Sequence, residues 1–79
     1  DTNVLQTNNS RKTKIKNFDN GIKGQIIYVI FGDDKTVVDF SSSKLKGNNS
    51  RDWKPKKLDS MICIFDGYEW ISSINGSGE

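Results

Sequence analysis

Two stretches of this chain are hydrophobic at every position: Ile26-Ile27-Tyr28-Val29-Ile30-Phe31 and Met61-Ile62-Cys63-Ile64-Phe65. A β-strand turns successive side chains to opposite faces, so strands of this kind need cover on both sides. In a small antiparallel protein that means the centre of a sandwich or a subunit interface. The supply of cover is short. The chain has 79 residues, of which 33% are hydrophobic, one small domain near the lower end of what folds alone. A core of that size contributes only about 3–5 kcal/mol of net stability, so a staple or a partner is expected. The one cysteine, Cys63, excludes an internal disulfide. The absence of histidine excludes Ser-His-Asp and Cys-His catalysis, His-ligated zinc and a histidine pH switch. Oligomerisation is the stabiliser left.

Alanine is absent, and Asn and Ser are abundant. Helix formers are scarce, whereas β-branched and aromatic residues dominate the apolar set, which favours strands. No helix longer than a turn is expected. No apolar run approaches the ~20 residues that span a bilayer, so membrane insertion is not expected. No signal peptide is visible. The chain starts at Asp1 without methionine, which reads as a processed or trimmed product. A formal net charge of +2 carries no claim to nucleic-acid binding by itself.

Three regions follow along the chain. Residues 1–17 read as a polar and basic arm or an edge strand. Arg11, Lys12, Lys14 and Lys16 there either blunt an edge with solvated lysines or touch an anionic partner. Residues 18–74 read as a compact β-module. Gly32-Asp33-Asp34-Lys35 is expected as a hairpin loop, with Thr36–Phe40 returning as the next strand. Residues 47–57 are an irregular excursion carrying Trp53 and Pro55. Asp66-Gly67 is a hairpin signal of the type I′ kind, joining Ser60–Phe65 to Tyr68–Ile74. Residues 75–79 read as a flexible tail.

The order of these features resembles a known module. A Gly-x-x-Gly-Gln segment, Gly21-Ile22-Lys23-Gly24-Gln25, leads into an apolar strand. An acidic turn and a Thr-Val strand follow in Asp33-Asp34-Lys35-Thr36-Val37-Val38-Asp39. Then come Leu45-Lys46-Gly47-Asn48-Asn49, Trp53-Lys54-Pro55 and an apolar strand ending in Asp66-Gly67-Tyr68-Glu69-Trp70. The series is similar to the C-terminal β-module of bacteriophage tail spikes, tail fibres and appendages, as in the appendages of small Bacillus podophages. That resemblance implies a homotrimer around a threefold axis. It implies an intramolecular chaperone role, in which the module trimerises and registers the rest of the spike polypeptide. It also implies release by self-cleavage at a Ser–Asp bond, leaving Asp1 as the first residue, and a place in the virion tail or in the host cytoplasm during assembly. In the Bacillus type it brings in ATP. No Gly-x-x-x-x-Gly-Lys-[Ser/Thr] run exists here, so a nucleotide would have to be held by Arg51, Lys54 and Lys57, at a subunit boundary.

Other constellations have bland readings. Asp33 and Asp34 read as a solvated turn, since a Ca²⁺ site wants ~6–8 oxygen ligands and no EF-hand pattern surrounds them. Asp66 and Glu69 lack a sugar groove between them. Trp70 is expected over the core with its indole N–H bonded. Trp53, among Arg51, Lys54 and Lys57, is either a loop anchor or a ring for stacking a base or sugar. Cys63 is expected buried and inert. The Asn-x-Ser triplets at Asn8, Asn48 and Asn75 arise easily in a chain of this composition.

The expectation is therefore an all-β fold: a small antiparallel sandwich or barrel-like module of about five or six strands, homotrimeric. Its core and interface residues are Ile26, Tyr28, Ile30, Val37, Phe40, Ile62, Ile64 and Trp70. Ile64 is expected fully buried and Asp33 dispensable. Its expected role is assembly of a phage tail spike. A glycan-binding tip on the cell surface and a small nucleic-acid-binding β-barrel are the alternatives. Exposed aromatics would favour the former, and a basic stripe joining the arm to Lys54–Lys57 the latter.

Overall fold

The computed structural model describes residues 2–79. The fold is all-β. Its strands are β1 (Thr2–Thr7), β2 (Thr13–Ile15), β3 (Ile26–Phe31), β4 (Thr36–Val38), β5 (Leu45–Lys46), β6 (Ser60–Phe65) and β7 (Trp70–Asn75), with a single 3₁₀ turn at Asn48–Ser50. A five-stranded sheet runs β1-β3-β6-β7-β5, and β2 pairs with β4 in a second layer. Trp53 extends that layer through an antiparallel bridge to Val38, with N–H···O bonds of 2.8 and 2.9 Å.

The sheet is mixed rather than antiparallel. β3–β6 and β6–β7 are antiparallel, but β1–β3, β5–β7 and β2–β4 are parallel. β4 is not the hairpin partner of β3. The chain instead leaves the five-stranded sheet after Phe31 and crosses to the second layer. The preceding segment does the same, so β1→β2 and β3→β4 run side by side through one corner. Asp33 fastens that corner. Its carboxylate accepts hydrogen bonds from Asn9 N–H (2.7 Å), Lys35 N–H (2.8 Å) and the Thr36 hydroxyl (2.9 Å). The Asn9 amide in turn donates to Thr36 Oγ1 at 2.8 Å. Asp33 is thus buried, against the expectation of a solvated turn; Asp34 is exposed.

The core fills the space between the layers. Ile27, Val29, Phe31, Met61, Cys63, Leu45 and Trp70 come from the inner face of the large sheet, and Val38, Phe40 and Trp53 from across it. Phe31 meets Trp53 edge-to-face at 5.4 Å, and Phe18 meets Trp70 at 5.3 Å. Such pairs add ~0.5–1.5 kcal/mol beyond the area they bury. Gly21 lets the chain cross this cluster: a Cβ there would lie 2.9 Å from the rings of both Phe65 and Trp70.

The β6–β7 connection is a four-residue loop rather than a two-residue type I′ turn. Of its residues only Gly67 has positive φ, at 104°. Asp66 Oδ1 accepts from the N–H groups of Tyr68 (2.9 Å) and Glu69 (2.8 Å), a local side-chain cap of the kind Asp provides in turns. Residues 75–79 are tied to the body. Asp59 accepts from Gly78 N–H at 2.9 Å, and Trp53 Nε1–H donates to Gly78 O at 2.9 Å.

Candidate functional site

Two surfaces of the sandwich stand out, one on each outer side. The first is the outer face of the five-stranded sheet. Pairing register puts Val4 and Gln6 of β1 in rows with Ile26, Tyr28 and Ile30 of β3. Those rows continue into Ser60, Ile62 and Ile64 of β6 and into Ile71, Ser73 and Asn75 of β7, and end at Lys46 of β5. Seven of these twelve side chains are hydrophobic, and Lys46 is the only charged one. Val4 (69% exposed), Tyr28 (39%), Ile62 (36%), Ile64 (46%) and Ile71 (48%) face solvent. Ile26 and Ile30 are half-buried. The two-sided strands are therefore covered on one side only within a single chain, and Ile64 is not a core residue of the monomer. Val37, Phe40 and Trp70 are buried.

The second surface lies on the far side of β2 and β4. Val38 points into the core, so its neighbour Val37 points away, as does Lys14 opposite it in register. Lys12, Lys35 and Lys54 surround Val37 and, with Asp34 and Thr36, line an open cleft of about 300 Å³. Val37 is its buried floor, 6% exposed. Lys14 is paired with Asp52 at 3.4 Å, and Lys35 lies 3.9 Å from Asp34. Lys12 and Lys54 have no ion pair among the described residues. The arm thus meets Lys54 in one basic cleft, whereas Lys57 does not line it.

The residues expected to hold a ligand do not converge. Arg51 lines a different cleft, with Asn48, Asp52, Trp53, Gly78 and Glu79. Trp53 is buried, 1% exposed, paired edge-to-face with Phe31 and with its N–H bonded to Gly78, so no ring face is free to stack on a ligand. It is the loop anchor. Arg51, Lys54 and Lys57 therefore form no common nucleotide pocket within one chain. Asp1 lies outside the described residues. Cys63 is buried, and burial raises its thiol pKa despite a 3.1 Å hydrogen bond from the Ser72 hydroxyl, which makes it a poor nucleophile. The Asn48 amide is already donating to Arg51 O at 2.9 Å.

What sequence reasoning missed is a set of loop carboxylates. Asp39 is held at about 2 by the Ser42 N–H, against burial, with help from the Ser41 and Ser42 hydroxyls. Asp33 is also held at about 2: burial raises it, but the hydrogen bonds from Asn9, Thr7, Lys35 and Thr36 outweigh that. Asp59 is lowered chiefly by the Lys56 N–H and Asp66 by the Glu69 N–H. All four organise turns, and Asp39 shares the Ser41 N–H and hydroxyl with the Asp52 carboxylate. Among the described residues no group of three or more Asp, Glu or Cys side chains could hold a metal ion. Comparison with protein-family models, curated proteins and solved structures gives no match.

Proposed function

We propose that this chain is an assembly module that associates with copies of itself through the outer face of its five-stranded sheet. Three copies pack around a threefold axis, as the tail-spike resemblance implies. The observation that carries the reading is the charge content of that face: one lysine among twelve positions, in a chain where 28% of residues are charged. A solvated antiparallel face alternates apolar-in with polar-out; this one stays apolar outside. The whole face, polar positions included, spans about 400 Å² per copy at most, from strands ~4.8 Å apart and six residues of ~3.3 Å rise in every strand but the two-residue β5. The largest apolar patch on an ordinary monomer is of similar size and is often functional, so the composition of the face, rather than its area, supports the reading.

The dimensions suit three walls. Sheets ~19 Å wide set as a triangular prism lie about 5.5 Å from its axis, close to half the ~10 Å spacing of face-packed sheets. Isoleucine and valine side chains fill that depth. Tyr28, the one aromatic on the face, is flanked by Ile26, Ile30 and Ile62 rather than by hydrogen-bonding side chains, which supports a protein interface over a sugar platform. Trimerisation and registration of a phage spike is the biological role proposed for this association.

Sedimentation equilibrium at micromolar concentration tests it. The expected mass is about 27 kDa, three times 8.9 kDa. An Ile62→Asp, Ile64→Asp chain should fall to the monomer mass while keeping its β circular-dichroism spectrum. A folded wild-type monomer overturns the proposal, and a stable dimer overturns its threefold arrangement.

A further inference from the structure

We propose that the cleft walled by Lys12, Lys35 and Lys54 binds the phosphate backbone of a nucleic acid. Three strand segments bring these lysines together from positions far apart in the chain, β2's approach, β4's approach and the Trp53 bridge. None of the three belongs to the hydrophobic core. Val37 closes the cleft floor, and the charges stand at its rim.

The chemistry of the rim selects the ligand. All three cations are lysines, point charges with rotatable donors that can bind phosphate oxygens. Thr36 spends its hydroxyl on Asp33 and Asn9. No aromatic ring, Asn or Gln lines the cleft, so there is no platform for stacking a base and no pair of groups for reading its edge. Contact is with the backbone, and binding is independent of sequence. Asp34 is the one opposing charge, but its pair with Lys35 is 3.9 Å long and more than half exposed on both sides, and such a pair yields readily to a phosphate. The cleft lies on the opposite side of the sandwich from the apolar sheet face. Both surfaces can therefore be used at once, and the inference does not depend on self-association.

Fluorescence anisotropy with a fluorescein-labelled oligothymidylate tests it. Neutralising three phosphates gives a slope of about −2 in log K against log salt, so affinity should fall roughly twenty-fold between about 50 and 200 mM salt. A Lys12→Gln, Lys54→Gln chain should weaken binding at low salt and cut the slope to about −0.7. A Lys23→Gln, Lys44→Gln chain, with the same net charge, should bind as the wild type does. Three results overturn the proposal: no binding at low salt, equal loss in both double variants, or competition by polyglutamate as effective as by unlabelled oligothymidylate.

Discussion

The two outer surfaces of this sandwich are built by the same rule and come out opposite. In the β2–β4 layer the pattern is the ordinary one. Ile15 and Val38 serve the core side, while Lys14 and the lysines around Val37 serve the water side. In β3 and β6 the alternation is lost. Val29 and Met61 are buried, yet their neighbours Tyr28, Ile62 and Ile64, on the other side of the same strands, are also hydrophobic. The core does not require those outer residues, because it is complete without them. Hydrophobic side chains in excess of what one chain can bury are the ground for the proposed self-association. Apolar content in a strand is thus two separate signals, one for folding and one for association, and only the side chain's direction tells them apart.

Adjacent residues of β6 sharpen this contrast most. Met61→Ala removes a fully buried side chain and should cost about 2–5 kcal/mol, the range for such core truncations, read as a lowered denaturation midpoint. Ile62→Ala, one residue on, should cost the isolated chain less, about 1–2 kcal/mol, because that side chain is 36% exposed. It should instead weaken self-association, seen as a concentration-dependent melting temperature. Equal losses at the two positions, independent of protein concentration, would break the distinction between the faces.

The corner that joins the two layers comes next in size. Asp33→Ala leaves the N–H groups of Asn9 and Lys35 and the Thr36 hydroxyl without their acceptor. It should lower the melting temperature by at least about 4 °C, the shift that ~1 kcal/mol gives a domain of this length. Asp34→Ala, exposed beside it, should stay within about 0.5 kcal/mol of wild type.

Acid should act on the same corner. Asp33 and Asp39 titrate at about 2 in the fold against 3.8 for a free carboxylate. Their folded pKa values are depressed, so their stabilisation is fully present above the unfolded value and is lost as pH falls from about 4 toward 2. Melting temperatures measured across that window should drop steeply, and Asp33→Asn should flatten the drop. The smallest effect concerns the lysine cleft. Asp34→Asn removes its one opposing charge and should raise oligothymidylate affinity by about two- to threefold at low salt.

Much of this was legible in the residues. The scarcity of helix formers, the two double-sided strands, the joining of β6 to β7 through Asp66–Gly67 (though not the four-residue length of that loop) and the buried Trp70 and Cys63 follow from local composition and period. Burial of Asp33 was not legible. Its partners are Lys35 and Thr36 nearby but also Asn9, twenty-four residues away, and nothing in Asp33-Asp34 announces which of the two carboxylates will meet them. Trp53 likewise had two readings among its cations until Phe31 and Gly78 closed on its ring.

The sequence by itself determined that this chain makes strands and that two of them are apolar on both sides, because side-chain alternation is a property of each strand alone. Only the tertiary structure decided which strands are neighbours: that β1 lies parallel to β3, that β4 leaves its apparent hairpin for β2, and that Lys12, Lys35 and Lys54 share a cleft. Pairing is made by backbone hydrogen bonds, which every residue but proline offers alike. A strand's period therefore says which way its side chains face and nothing about which strand will lie beside it.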